Sequence, residues 1–321
     1  MLICKTPLRV SFFGGGSDFE NFYKDHGGAV LSSSINKYIY LSLLKKFDKG
    51  LRISYSRLEN PKKIKDIRNP LIKEALEYFN ISNGIELNSV SDIPASTGLG
   101  SSSAFMVSLC NILLYSKSKK IKPDKLAELA AKLEIINCNQ QIGKQDHYAA
   151  SFGGFNLINF GKKIEVKKLN INNSILKNLE KNLIYIYTNM HHNSYKILKI
   201  QNKNNTKPAN IKILKEMSQL AKTSALNLIN GNLNDFVKAL DLGWKMKKEL
   251  NSKSTNFQID EIYKECMRLG AKGGKILGAG NGGFLMIYAS QQAQNIIKTK
   301  FKKLRFFKFK FVKFGSQLFE I

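Results

Sequence analysis

Apolar and polar residues alternate from the start of the chain. Leu8, Val10 and Phe12 fall on one side and Arg9, Ser11 and Phe13 on the other, ahead of Gly14, Gly15 and Gly16. A period of two predicts a strand, and the glycines a tight turn at its end. Ser17-Asp18-Phe19-Glu20 has the form of a capping box opening a short helix that stops at Gly27-Gly28. Segments 29–46 and 51–55 are rich in β-formers and predict strands, Pro70–Phe79 a helix, and Ile85–Val90 another strand. Residues 104–115 are apolar almost all round, the pattern of a helix buried on every face. Pro123-Asp124 starts an amphipathic helix carrying Leu126, Leu129, Leu133 and Ile136, and two short strands are predicted near 154–168.

The second half begins with a strand over Leu183–Tyr187. His191-His192 and a Lys/Asn-rich helical stretch of about 60 residues follow. Ile259–Leu269 predicts a helix, a glycine-rich segment runs into the strand Phe284–Tyr288, and a final helix and strand close the chain. No internal repeat or long linker interrupts the pattern. The expected division lies near residue 180, giving units 1–180 and 181–321. Strands and helices do not alternate strictly, which favours an α+β class over a doubly wound sheet.

Composition adds one unusual feature. The 321 residues carry 51 Lys+Arg against 24 Asp+Glu, a formal charge of +27. Residues 1–165 contribute +8 and 166–321 contribute +19, mostly as Lys scattered among Asn and Ile. Such a balance suits nucleic acid, an anionic membrane surface or anionic small substrates, and also follows from an AT-rich coding sequence. The interleaved Phe and Lys of 301–314 resemble a single-strand nucleic-acid platform. The period of two at Phe307, Phe309 and Phe311 favours instead an edge strand with a buried Phe face and Lys outside. Cys4, Cys110, Cys138 and Cys266 are far apart and read as reduced thiols, not as a zinc site or disulfide frame. The apolar run in MLICKTPLRV is too short for a signal peptide, and no stretch approaches 18 apolar residues. A cytoplasmic protein is expected.

Candidate chemistry concentrates in two loops. In PASTGLGSSSAFMV, Gly98 and Gly100 let the backbone turn tightly, and Ser101, Ser102 and Ser103 open a buried helix. Free N–H groups and the positive end of the helix dipole make that a place for phosphate. The segment lacks the G-K-[ST] ending of a Walker A loop. Gly278-Ala-Gly-Asn-Gly-Gly283 is a second glycine-rich loop, before a strand. One such loop per half suggests a ligand held between the halves. Taken singly, Asp146 reads as a helix N-cap, Glu134 as a snorkelled surface group, and Arg9 as a solvated charge.

Together, PLRVSFFGGGSDF, PASTGLGSSSAFMV with GKQDHYAASFGG, and GKILGAGNGGFLMI resemble the GHMP kinase superfamily in order and spacing, over residues 3 to about 290. Within it the chain looks most like the heptose 7-phosphate kinases. Galactokinases carry G-E-H-T-D where this chain has Gly14-Gly15-Gly16-Ser17-Asp18, which argues against galactose.

The resemblance implies an N-terminal α+β domain of ribosomal-protein type and a ferredoxin-like C-terminal domain. It implies ATP and Mg²⁺ as cofactors and small-molecule substrates, with no nucleic acid or membrane partner; an oligomer is compatible with it. Asp146 matches the catalytic aspartate and Arg9 the basic residue beside it. Pro94, Gly98, Leu99, Gly100, Ser101, Ser102 and Ser103 would surround the ATP phosphates, with Ser102 and Glu134 matching Mg²⁺ ligands. Gly15, Gly16, Ser17, Asp18, Lys144, Gly278, Gly280 and Gly282 would border the sugar. Lys37, Lys144, Lys272, Lys275, His191 and His192 are candidates for holding a sugar phosphate. The expected reaction is phosphorylation of the anomeric hydroxyl of D-glycero-α-D-manno-heptose 7-phosphate, on the way to GDP-heptose for surface polysaccharide. A fucose or mannose 1-kinase and a non-catalytic sugar sensor of the same fold are the alternatives.

Overall fold

Two antiparallel-rich sheets form the frame of the computed structural model, which describes residues 1–190 and 194–321. Among the described residues the first has eight strands. Its path runs Gln317–Glu320, Leu2–Phe13, Gly28–Lys45, Ile85–Ser91, Leu51–Ser54, Leu58–Glu59, with Phe155–Phe160 and Glu165–Lys168 branching from Gly28–Lys45. The 18-residue strand Gly28–Lys45 serves two neighbours: residues 28–33 pair with Phe155–Phe160, and residues 39–45 pair with Ile85–Ser91. Leu51–Ser54 and Ile85–Ser91 pair in parallel.

The register between Leu2–Phe13 and Gly28–Lys45 shifts between Pro7 and Arg9. An irregularity of this kind bends a strand and re-aims the side chain beside it. The Arg9 N–H leaves the ladder there and donates to the Leu99 carbonyl at 3.0 Å. The helix Ser101–Ser116 packs against Leu2–Phe13 and Gly28–Lys45, and Pro123–Ala131 and Gln145–Phe152 pack beside it.

The second sheet is ordered Arg305–Phe307, Leu183–Tyr187, Phe284–Ala289, Ala271–Ile276, all antiparallel. Numbered along the chain that is 4-1-3-2, and helices separate the first strand from the second and the third from the fourth. This is the expected ferredoxin-like arrangement. The long helical stretch resolves into Ser194–Asn204, Pro208–Ile229 and Leu233–Leu250. Gln317–Glu320 returns the chain to the first sheet, against Leu2–Lys5.

A continuous core joins the sheets. Phe236 meets Phe12 and Phe13 at ring centroid separations of 5.5 and 5.2 Å. The Phe/Lys tail extends less far as a strand than its alternation predicts: it ends at Phe307, and Phe311 makes an isolated bridge to Ile35. Phe309 is buried against Tyr185 and Phe284, and the half-buried Phe311 packs against Phe12 and Phe155 at the edge of the core. The four cysteines are free thiols.

Three local expectations are corrected. Ser17–Glu20 is not a capping box: the helix is Glu20–His26 with Phe19 at its cap and no side-chain cap bond. Ser17 instead ties the Gly14 carbonyl to Ala29, its hydroxyl donating to the first and accepting from the Ala29 N–H. Asp146 is not an N-cap, because the helix already begins at Gln145. The amphipathic helix is regular only to Ala131 and then opens into a π-helical turn, Lys132–Asn137. The wider turn breaks the 3.6-residue period, leaving Ile136 65% exposed while Glu134 is 1% exposed.

Candidate active site

A cavity of about 670 Å³ opens where the two sheets meet. One wall is the start of the helix Ser101–Ser116, preceded by Gly98 and Gly100 in left-handed conformations, φ +85° and +76°. Both glycines are required sterically. A Cβ on Gly98 would lie 2.5 Å from the Leu277 carbonyl oxygen, and one on Gly100 3.1 Å from an Asp146 carboxylate oxygen. Close backbone approach therefore lets the second half touch the phosphate-type loop directly. Phe284 N–H reinforces the contact by donating to the Thr97 carbonyl at 3.2 Å.

Arg9 and Asp146 form the centre. Arg9 Nε donates to Asp146 Oδ1 at 2.6 Å and Nη2 to Oδ2 at 2.7 Å, while Nη1 donates to the Gly98 carbonyl at 2.7 Å. Planar two-point pairing fixes the carboxylate's position and plane. Each Asp146 oxygen keeps a lone pair for a further donor from the cavity.

Ser102 and Glu134 meet across the same wall. The Ser102 hydroxyl donates to Glu134 Oε1, and the other carboxylate oxygen lies 2.7 Å from His147 Nε2. His147 is fully buried, one residue after Asp146, and its ring holds Glu134 pointing at the helix start. His147 falls within GKQDHYAASFGG, yet the sequence alone assigns it no role, because its partner Glu134 lies 13 residues away across an irregular turn.

Asp18 faces the cavity from the glycine turn. Its carboxylate accepts from the Gly16 N–H at 2.9 Å and from the Gln145 N–H and side-chain amide at 3.1 and 3.2 Å. Burial pushes its carboxyl above the usual range, opposed by the Gly16 and Gln145 N–H groups, with the Asp146 charge adding to the rise. Gln145 also accepts from Ser11 Oγ at 2.7 Å, so one side chain links Asp18 to the first strand.

Gly15, Gly16, Asp18, Gly98, Gly100, Ser101, Ser102, Ser103, Glu134, Asp146 and Gly278 thus line one cavity with Arg9. Six other expected residues do not line it. Pro94 is exposed, and its carbonyl accepts from Thr97 Oγ1. Leu99 and Ser17 are buried in the frame. Lys144 turns away to Glu128 at 3.3 Å. Gly280 lies against Ser254, where a Cβ would come within 2.2 Å of a carbonyl oxygen, and Gly282 is outside the lining. Of the candidate cations, Lys275 reaches the cavity, whereas Lys37 and Lys272 do not; His191 and His192 lie outside the described residues. Lys247, which no motif marks, also lines it, as do Gln145 and Gln201.

Comparison with known proteins agrees with this arrangement. Residues 69–154 match the GHMP kinases N terminal domain and residues 224–304 the GHMP kinases C terminal domain. The chain is 27% identical to the D-glycero-alpha-D-manno-heptose 7-phosphate kinase of Campylobacter jejuni, over 99% of this chain and 98% of that one. It is 25% identical to a mevalonate kinase of Methanocaldococcus jannaschii, over 94% and 96%. A crystal structure of a D-glycero-D-manno-heptose 1-phosphate kinase from Bacteriodes thetaiotaomicron superposes with a TM-score of 0.83 over 100% of this chain and 99% of that one, at 23% identity. Two matched domains in the expected order, each supplying one side of the cavity, make the chain a member of the GHMP kinase family.

Proposed function

We propose that the protein transfers the γ-phosphoryl group of ATP to the anomeric hydroxyl of D-glycero-α-D-manno-heptose 7-phosphate, giving the 1,7-bisphosphate. Family membership makes it an ATP-dependent sugar kinase of GHMP type. The observation that carries the finer reading is the convergence of Asp146, Arg9, Asp18 and the Ser102–Glu134 pair on one cavity at a helix N-terminus. The similarity to a heptose 7-phosphate kinase along nearly the whole chain supports the choice of sugar. The product would feed a nucleotidyl-transfer route to GDP-heptose for surface polysaccharide. The cytoplasm supplies the ATP, and no helix among the described residues is long and apolar enough to cross a membrane.

In this reading the N–H groups of Ser101–Ser103 and the helix dipole hold the nucleotide phosphates. Asp18 accepts hydrogen bonds from sugar hydroxyls and orients the ring. Asp146 takes the proton of the anomeric hydroxyl as its oxygen attacks the γ-phosphorus; the new O–P bond forms as the bond to the ADP oxygen breaks. Arg9 keeps the carboxylate in line and offsets the negative charge that develops. Positioning and charge neutralisation of this kind carry most of phosphoryl transfer.

The donor set also suits Mg²⁺. Among the described residues no three His, Cys, Asp or Glu form a cage. One carboxylate and one hydroxyl facing a phosphate site are what Mg²⁺ uses alongside water and substrate oxygens. Ser102 and Glu134 would hold it, and it would neutralise phosphate charge there.

The test is ADP release across heptose 7-phosphate, fucose, mannose and galactose. Turnover restricted to the phosphorylated heptose supports the reading. Turnover with fucose or mannose instead reassigns the substrate, and sugar binding without turnover would indicate a sensor.

A further inference from the structure

Two lysines reach the cavity without a carboxylate partner. Lys275, on the strand Ala271–Ile276, is 5% exposed, and its Nζ donates to the Phe12 carbonyl at 2.9 Å. Lys247, on the helix Leu233–Leu250, donates to the Ile276 carbonyl at 3.2 Å and the Gly278 carbonyl at 2.6 Å. Neither belongs to an ion pair among the described residues. Each acid lining the cavity is already engaged: Asp146 with Arg9, Asp18 with Gly16 and Gln145, Glu134 with Ser102 and His147.

Donor counting sharpens the point. An ammonium has three N–H bonds. When both are protonated, Lys275 spends one N–H and Lys247 two on backbone carbonyls, which leaves three donors and two positive charges beside Arg9. Burying uncompensated charge is costly, and burying like charges together costs more. Burial depresses Lys247 well below its ordinary range, with the charges of Lys275 and Arg9 adding; burial and Arg9 bring Lys275 down to about 7. An arrangement of this kind is compensated by an anion with several oxygens and a charge near −2.

We propose that Lys247 and Lys275, together with Arg9, form a receptor for a phosphoryl dianion at the junction of the two sheets. The proposal rests on the kinase reading only for the identity of the anion. Proximity to Gly98 and Asp146 favours the group in transit from ATP; a phosphate already carried by the sugar has the same chemistry. The receptor also couples the halves, because Lys275 reaches Phe12 in the first sheet and Lys247 fixes the Gly278 turn that abuts Gly98.

The test uses the full chain with Lys247→Met and Lys275→Met. Affinity is measured by calorimetry for inorganic tripolyphosphate, ADP and a non-hydrolysable ATP analogue, together with KM for the sugar phosphate. Loss of a charged hydrogen bond is expected to weaken the receptor's ligand by about 10- to 100-fold per variant. Weaker binding of tripolyphosphate and the ATP analogue with ADP unchanged identifies the transferred group. Unchanged nucleotide binding with a raised sugar-phosphate KM identifies the acceptor's phosphate. Ligand-free melting temperatures separate this from a purely structural role: in a receptor variant the lost carbonyl hydrogen bonds are offset by removal of an uncompensated charge, so phosphate affinity falls with little change in stability. Unaltered affinity for every phosphate ligand, or a fall in melting temperature as the only effect, overturns the proposal. Tripolyphosphate binding that is lost in the variants of a protein with no sugar turnover would uphold the receptor and reject the kinase reading.

Discussion

Arg9 holds Asp146 through two parallel hydrogen bonds of 2.6 and 2.7 Å, across 137 residues of sequence. The pair depends on the register shift after Pro7, which re-aims Arg9, and on Gly100, whose missing side chain leaves room for the carboxylate. If Asp146 accepts the acceptor's proton, Asp146→Asn should lower kcat by about 10²- to 10⁴-fold. ATP affinity should stay near that of the wild type. Near-normal turnover by this variant removes Asp146 from the role of base.

Gly143 gives a sharper test of the sugar side. A Cβ there would lie 1.9 Å from Asp18 Oδ2, so Gly143→Ala must displace Asp18 or the Gln145 backbone that holds it. A shift of about 1 Å costs on the order of 100-fold in kcat/KM for the sugar. The KM for ATP should not move. Equal losses for sugar and ATP would place Asp18 outside the sugar subsite.

Removing Mg²⁺ with a chelator should abolish turnover. Glu134→Gln should raise the Mg²⁺ concentration needed for half-maximal rate. His147→Asn, which removes the group orienting Glu134, should raise it by about 10- to 100-fold with little change in sugar KM. An unchanged Mg²⁺ response in both variants would detach Glu134 from the metal.

Lys275 sets a pH dependence whose sign follows from its environment. Its folded-state value of about 7 lies below the ordinary lysine value near 10.4. Between those limits the unfolded chain binds more protons than the folded one, so this group makes stability rise with pH. Lys247 is shifted in the same direction, and Arg9, paired with Asp146, contributes to both lysine shifts. Melting curves of ligand-free wild type and Lys275→Met, taken from about pH 6.5 to pH 9, should therefore show the wild type gaining on the variant as pH rises. A constant difference over that range contradicts the buried, uncompensated placement of Lys275.

How much of this could be read from the chain depends on whether a signal is local. The strand at Leu8–Phe13, the buried helix after Ser103 and the two glycine-rich loops follow from short periodic patterns and match the structure closely. The 4-1-3-2 sheet rests on the family resemblance, since strand order depends on contacts far apart in sequence. Ser17–Glu20 satisfied the capping-box pattern, yet a buried carboxylate with three backbone and amide donors outweighs a cap worth about 1 kcal/mol. Glu134 looked like a rim residue because a regular helix would put it there; the π-helical turn rotates it inward. Lys247 carries no local mark at all. Its helix face is set by Trp244, fully buried one turn earlier, and its function-relevant neighbours Ile276 and Gly278 arrive from another element. The charge of +27 remains mostly a surface property, and three cations at the cavity suffice for the chemistry proposed.

The most direct measurement is the ³¹P NMR spectrum of the product formed from D-glycero-α-D-manno-heptose 7-phosphate and ATP. A new phosphorus signal coupled to the anomeric proton, in one-to-one ratio with the persisting 7-phosphate signal and with ADP, is the expected result. Phosphate appearing on a non-anomeric hydroxyl, or no sugar phosphorylation while ATP and the sugar both bind, would contradict it.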